Sequence, residues 1–391
     1  MTDDIVAGGS PAIRQNGAVS GPGPVVGAAM PAPAGSGPAG VAAPDGEAMR
    51  PLMVFTGSGW ELFKIHLLNY IFTILTFGVY SFWAKVKVRR YLWGNTEILG
   101  ERLEYTGTGG ELFKSFLVVT ALGGLGMVIL YACSMFFPLA GPVVIAATVA
   151  VGHFASYQAL RYRLTRTRWH GIRGNMDGSS VRYAQIATGY SILTLLTLFV
   201  CVPLQTARLT ARRVRAAFFG NRRFAFTGTS RPLFAAWMQS YILLVLCIAG
   251  VVLVLFGLDA EETAMRSRDA AAAALGLIVV LGAILMGLCS LIYNAAVVRW
   301  LFGNLAFGSM RFDAKSYTPW RLLRLRLVNG LLLTVTLGLA YSWTEIRSLR
   351  FFLSSVRYAG DPALADLLQD TLPEKSRGEG LLDALDMDLA I

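Results

Sequence analysis

Apolar runs separated by short basic clusters fill the chain from about residue 51 to 358, and run length divides them into two kinds. Four runs, 115–137, 139–160, 233–258 and 270–298, are long enough to cross a hydrocarbon core of about 30 Å at about 1.5 Å per helical residue. The first two are joined by the uncharged turn 138–142. The other two are joined by 259–269, where Asp259, Glu261, Glu262 and Asp269 outweigh Arg266 and Arg268. These pairs predict two transmembrane hairpins with both turns facing out, since basic loops stay cytoplasmic. Three further runs, 65–83, 186–204 and 327–343, are shorter and are interrupted by Gly78, Pro203 or Gly338.

The short runs repeat a pattern. Asn69-x6-Thr76-x-Gly78-x4-Trp83-x6-Arg90 aligns with Asn329-x6-Thr336-x-Gly338-x4-Trp343-x6-Arg350, and a looser copy runs from Gly189 through Thr197 and Pro203 to Arg215. Basic residues flank all three on both sides. Were every short run to cross fully, at least one basic block would lie outside. Broken or re-entrant segments keep every basic cluster beyond the acidic loop on the cytoplasmic side, and the charge bias favours them over kinked crossing helices.

A second motif supports the same-side reading. Phe55-Thr-Gly-Ser-Gly-Trp-Glu-Leu-Phe-Lys64 matches Tyr105-Thr-Gly-Thr-Gly-Gly-Glu-Leu-Phe-Lys114, with a degenerate copy over Phe226-Thr-Gly-Thr-Ser-Arg-Pro-Leu-Phe234. Ser58-x-x-Glu61 and Thr108-x-x-Glu111 are capping boxes, in which the hydroxyl caps the helix and the carboxylate reaches back; Thr229 keeps the cap in the third copy. The alternation before each box predicts a short strand. The Gly94-Asn95 and Gly303-Asn304 turns predict small β-hairpins. The fold expected is an all-α polytopic membrane protein: two full transmembrane hairpins plus three repeated short, broken or re-entrant segments, with small cytoplasmic β-hairpins. Its internal units divide at about 51–104, 105–225 and 226–358.

Composition places the chain in a bilayer. It is 54% hydrophobic and 15% charged, with mean hydropathy +0.53. A soluble chain of 391 residues could not hide that much apolar surface. The net charge of +11 concentrates in 51–358. Basic clusters that abut apolar spans are topology and anionic-lipid signals, not a nucleic-acid site. Residues 1–50 are Ala/Gly/Pro-rich and predict a disordered N-terminus with no signal peptide. Residues 359–391 form an acidic cytoplasmic tail in which Leu381, Leu382, Leu385 and Leu389 share one helical face, suited to a cytosolic partner or to the protein's own basic surface. Both termini are expected to be cytoplasmic. Cys133, Cys201, Cys247 and Cys289 stand alone in apolar runs and read as packing residues.

The candidate residues follow from position. His66, Asn69, Thr76, His153, Asn329 and Thr336 are polar groups within apolar runs. Such groups either line a substrate path, as in transporters with interrupted helices, or satisfy backbone freed by the interruption. Lys64, Arg89, Arg90, Lys114, Arg212 and Arg213 reach phosphate headgroups, and Trp83 and Trp343 are interfacial anchors. No metal-ligand spacing, cofactor loop or nucleophile motif occurs, so no metal, no cofactor and no enzymatic activity are expected.

The blocks Phe-Thr-Gly-x-Gly-x-Glu-Leu-Phe-Lys, Asn69-x6-Thr76-x-Gly78-x-Tyr80-x2-Trp83-Ala84 and Tyr91-x3-Asn95-Thr96 resemble the YjgN family over about 51–358. The resemblance implies a bacterial inner-membrane location and a multi-pass helical fold, and supplies no activity. Phe82 stands where that family's turn has Pro, and the middle segment lacks both the Gly and the Trp. Two functions remain open. The first is transport or permeation of a small anionic solute or lipid, suggested by the repeats and the paired Asn/Thr positions. The other is a non-transporting scaffold or anionic-lipid sensor, suggested by the basic interfacial loops.

Overall fold

The computed structural model describes residues 48–137, 140–258, 268–361 and Leu367. Strand β1 (Arg50–Pro51) runs through Leu52 into β2 (Met53–Phe55). Helices α1 (Gly59–Leu75) and α2 (Ser81–Gly94) follow, then strands β3 (Thr96–Ile98), β4 (Glu101–Arg102) and β5 (Glu104–Tyr105). The same alternation continues through α3 (Gly109–Phe136), α4 (Ala140–Thr165), β6 (Thr167–Trp169) and β7 (Ile172–Met176). Next come α5 (Ser180–Leu196), α6 (Val202–Ala216), β8 (Ala217–Phe219) and β9 (Arg222–Phe226). The chain then forms α7 (Arg231–Leu258), α8 (Arg268–Gly303), β10 (Leu305–Phe307), β11 (Met310–Asp313), α9 (Pro319–Val335), α10 (Tyr341–Ser355) and β12 (Arg357–Ala359).

Every helix pair leaves and re-enters on neighbouring strands. β2 pairs with β3, β5 with β6, β7 with β8, β9 with β10 and β11 with β12, all antiparallel. The order of strands returns to its start, because β12 pairs with β1. Leu52 joins the two ends: its N–H donates to the Val356 carbonyl at 3.3 Å and its carbonyl accepts from Leu99 N–H at 3.3 Å. The nine strands from β5 to β12 and β1 form one sheet and β2, β3 and β4 a second, and the chain runs from one into the other through Leu52 and, between β4 and β5, through Leu103, so the order of elements closes into a ring. The fold expected from sequence was all-α with separate small β-hairpins. This corrects it: the hairpins are joined edge to edge, through pairings between strands far apart in the chain.

One apolar cluster fills the ring. Leu52, Trp169, Phe307, Met310 and Phe312 are buried in it, with Ile98, Leu103, Ile172, Phe219, Phe224 and Tyr358 packed against them. Trp169 crosses it and donates from Nε1 to the Ile98 carbonyl at 3.1 Å. Val298 and Phe302 of α8 and Val356 also enter the cluster, as does Leu367 of the tail.

The three short runs are each helix, five-residue turn, helix. In the first, Thr76 ends α1 and Gly78 N–H donates to the Thr73 carbonyl at 2.8 Å. The last repeats this with Thr336 and with Gly338 N–H on Leu333 at 2.7 Å. The middle one, without the glycine, closes the same way with Phe199 N–H on Thr194 at 2.8 Å. Phe77, Leu198, Phe199 and Leu337 take positive φ there, a conformation that costs about 1–2 kcal/mol for an L-residue. Phe77 is 98% exposed and Leu337 92%. Of the four long runs, Gly141–Thr165, Arg231–Gly250 and Val279–Gly303 are long and apolar enough to cross a membrane, while the first long helix contributes the shorter apolar stretch Gly123–Cys133.

Most of residues 1–50, most of the acidic tail, and the centres of both proposed outward turns lie outside the described residues. The Leu381–Leu389 face is among them.

Trp169→Ala removes the largest side chain crossing the ring and its hydrogen bond. Thermal or denaturant unfolding in detergent should show a loss of about 3–5 kcal/mol, whereas a loss below about 1 kcal/mol would mean the ring interior is not the core.

Candidate functional site

The helix pairs are packed in sequence, each against the next and the last against the first, so the clefts of the molecule lie at and between neighbouring pairs. The contacts use the recurring motif. Trp83 of α2 lies over Gly109 at the start of α3, where a Cβ would stand 2.6 Å from its Cγ. Trp343 of α10 lies over Gly59 at the start of α1, with a Cβ 2.5 Å from its Cδ1. Arg90 donates to the Gly107 carbonyl at 3.4 Å and Arg350 to the Gly57 carbonyl at 2.7 Å. A residue other than glycine at 59 or 109 would push the neighbouring pair away. This explains the motif more directly than a binding role does.

The capping boxes form in part. Ser58 Oγ accepts from Glu61 N–H at 3.2 Å and Thr108 Oγ1 from Glu111 N–H at 3.4 Å. The carboxylates bond elsewhere: Glu61 accepts from the Tyr91 hydroxyl, and Glu111 accepts from the Tyr162 hydroxyl and Arg166, each at 2.9 Å. Thr229 gives its carbonyl to Trp300 Nε1 at 2.8 Å, and α7 starts only at Arg231. Ser179 and Thr318, which lie outside the Phe-Thr-Gly motif, cap α5 and α9.

Asn69 and Asn329 do the same thing in their two hairpins. Their Nδ2 groups donate across the turn to the carbonyls of Ala84 and Thr344, both at 3.3 Å, and Asn329 also reaches Ser348 Oγ at 3.0 Å. Both Oδ1 atoms are buried without a hydrogen-bond partner. Thr76 Oγ1 donates to the Phe72 carbonyl at 2.8 Å and accepts from Tyr80 N–H at 2.9 Å. Thr336 does so with Leu332 at 2.6 Å and Ala340 at 3.0 Å, and Thr197 with Leu193 and Cys201. The threonine hydroxyls satisfy N–H groups freed at the turns, while Asn69 and Asn329 tie the two helices of their hairpins together.

The histidines join hairpins. His66 Nδ1 lies 3.0 Å from Ser342 Oγ and its Nε2 lies 3.6 Å from Glu345 Oε2, so it closes the contact between α1 and α10. Glu345 is an acid within an apolar hairpin that the sequence reading passed over, because a basic turn surrounds it. His153 Nε2 meets Ser191 Oγ at 2.8 Å; Gln205 reaches the same hydroxyl at 2.9 Å and accepts from Thr194 at 2.8 Å. This polar chain links α4, α5 and α6.

The basic residues line clefts at the bases of the hairpins. A cleft of about 700 Å³ between α5, α6 and the start of α7 is lined by Arg182, Arg208 and Arg212, with Ser179 and Ser230. On its rim Arg223 binds Asp177 at 2.9 Å and, with the Gly178 N–H, holds that carboxyl below its usual range. Arg213 instead donates to the Tyr183 hydroxyl at 2.7 Å and stacks on its ring. A second cleft, of about 380 Å³, is lined by Arg321, Arg324, Arg347 and Arg357 with Ser316 and Ser354. Three of these four arginines were not singled out from sequence, since no motif contains them. Lys64 and Lys114 are exposed on the second turns of α1 and α3, Lys64 over the Trp60 ring at 5.5 Å. Arg89 is half-buried on α2. No group of three or more metal-binding side chains occurs among the described residues.

A family model described as "Bacterial protein of unknown function (DUF898)" matches residues 50–384. The chain is 26% identical over 376 residues to the inner membrane protein YjgN of Salmonella typhimurium, covering 82% of this chain and 91% of the relative. The proteins of the same name from Escherichia coli O157:H7 and strain K12 match over 126 residues at 36% and 34% identity, about a third of each chain. No solved structure matches.

Thr336→Val deletes both hydrogen bonds of a hinge hydroxyl while keeping its shape. Unfolding in detergent should show a loss of about 1–3 kcal/mol, recovered by Thr336→Ser. Equal stability of the Val and Ser variants would remove the hinge role.

Proposed function

The chain belongs to the DUF898 family of bacterial proteins of unknown function, and we propose that it is a multi-pass inner-membrane protein that holds anionic phospholipid at its basic helices and moves no solute. The location is carried over from the relatives' names and agrees with three helices long and apolar enough to cross a bilayer. In this reading the strand ring lies on the cytoplasmic face. The long hairpins span from there, and the short ones enter and return.

One observation carries the reading. Each short hairpin sets large apolar side chains at its tip (Phe77; Leu198 and Phe199; Leu337) and basic ones along its second helix (Lys85, Lys87, Arg89 and Arg90; Arg208, Arg212, Arg213 and Arg215; Arg347 and Arg350). Apolar tips suit acyl chains and guanidinium groups suit phosphate. Lys64, Lys114, Trp83 and Trp343 fall at the same border. Against permeation through the ring stands its apolar filling. The clefts described here are lined by neither Asn69 nor Asn329.

A transport reading retains one observation, the polar chain His153–Ser191–Gln205–Thr194 among apolar helices. Flux of an anion in proteoliposomes that Gln205→Leu abolishes would replace the lipid-holding reading with transport.

Two measurements test the proposal. A cysteine at Lys87 should resist an impermeant thiol reagent in whole cells; labelling would overturn the same-side topology. Replacing Arg182, Arg208 and Arg212 by Gln should weaken phosphatidylglycerol retention in nanodiscs by about fivefold per arginine, as surface basic residues do. Unchanged retention would refute lipid holding at that cleft.

A further inference from the structure

The cleft of Arg321, Arg324, Arg347 and Arg357 has a neighbour. An apolar groove of about 960 Å³ follows α9 and α10 toward their turn, past Leu332, Val335, Leu337, Leu339 and Trp343. Arg347 lines both the groove and the cleft. Among the described residues the side chains of Arg324, Arg347 and Arg357 have neither a hydrogen bond nor an ion pair, and the Arg321 guanidinium reaches only the Ser316 carbonyl at 3.5 Å. Four guanidinium groups facing one small cleft repel one another unless an anion sits among them. Ser316 adds a hydroxyl to the same wall, while the Ser354 hydroxyl donates to the Phe351 carbonyl at 3.0 Å.

Resting on the lipid-holding reading above, we infer that the last hairpin carries a built site for one anionic glycerophospholipid, its phosphate among Arg321, Arg324, Arg347 and Arg357 and an acyl chain in the groove between α9, α10 and the start of α1. The two halves of the site require the two halves of such a molecule. A free phosphate or a soluble phosphorylated metabolite would use the cleft and leave the groove bare. A neutral lipid would use the groove and leave the arginines unpaired. The dimensions agree: α9 has 17 residues and is about 25 Å long, so a groove along its outer half accommodates a chain reaching toward the midplane of a hydrocarbon core about 30 Å thick. The acidic segment beyond Asp361 is the rival occupant, with carboxylates for the arginine cleft and the leucines of 381–389 for the groove, and the identity of the crosslinked adduct decides between it and a lipid.

The test uses the full-length protein in nanodiscs of phosphatidylethanolamine with a minor fraction of phosphatidylglycerol. A photoreactive p-benzoylphenylalanine at Leu332 should yield an adduct with the mass of an intact phospholipid, enriched in phosphatidylglycerol. Arg324→Gln with Arg357→Gln should weaken that adduct by about twenty-five-fold, at about fivefold per arginine. Val335→Trp, which fills the groove without touching the arginines, should reduce it as well. Excess glycerol phosphate should leave the adduct intact; displacement by it would identify the ligand as a free phosphate and overturn the site. An adduct with a peptide from 362–391, or a lipid adduct indifferent to both arginines, would also overturn it. The Arg182, Arg208 and Arg212 variant separates the two claims: if it lowers phosphatidylglycerol retention while the Arg324/Arg357 variant does not, only this site falls.

Discussion

Hydrogen bonding between the strands at the foot of each helix pair is the constraint on which the rest depends. Paired strands lie about 5 Å apart, so the two ends of every helix pair are held together at the ring. No pair can begin on one side and finish on the other. Helix length then sets how far each hairpin reaches: α1 and α10 have 17 and 15 residues, α3 and α7 have 28 each. Pairing β1 with β12 ties the last hairpin to the start of the first across the whole length of the chain.

Strands of two to five residues contribute little stability singly. Their joint filling makes the ring a core: Trp169, Phe307, Met310 and Phe312 stand together because cyclic pairing brings distant segments to one interior. The same filling moves any binding chemistry to the outside, into the clefts between successive hairpins. There Gly59 and Gly109 set the spacing, because Trp343 and Trp83 of the adjoining hairpins occupy the space their side chains would need.

What the sequence disclosed was local. The equivalence of Asn69 and Asn329 was legible as a spacing, and both side chains make one hydrogen bond across one kind of turn. The hydroxyl caps Ser58 and Thr108 were legible for the same reason. Cyclic strand pairing was not, since β1, β4 and β5 have two residues each and show no alternation to read. His66 was visible as a polar residue in an apolar run, but its partners Ser342 and Glu345 lie at the other end of the chain. The arginine cleft was hidden similarly, its members divided among α9, α10 and β12. The middle turn, lacking the glycine, looked unlike the others. Yet Thr194 and Thr197 hold Phe199 and Cys201 as Thr73 and Thr76 hold Gly78 and Tyr80, so backbone hydrogen bonding and not glycine defines the turn.

That backbone closure explains how an exposed apolar turn persists. A turn in hydrocarbon is tolerated only if its own N–H and carbonyl groups are satisfied, and the threonine hydroxyls and the closing N–H bonds of residues 78, 199 and 338 supply much of this internally. In water the same turns expose Phe77 and Leu337 and hold them at unfavourable φ, with nothing gained. Helices of 14 and 15 residues, α2 and α10, rise about 21–22 Å from the ring, more than half of a hydrocarbon core about 30 Å thick. In the lipid-holding reading proposed above, a tip near the midplane would put the basic foot of each second helix at headgroup level. Apolar tips, internally bonded turns and basic feet then fit one arrangement, with lipid around the hairpins.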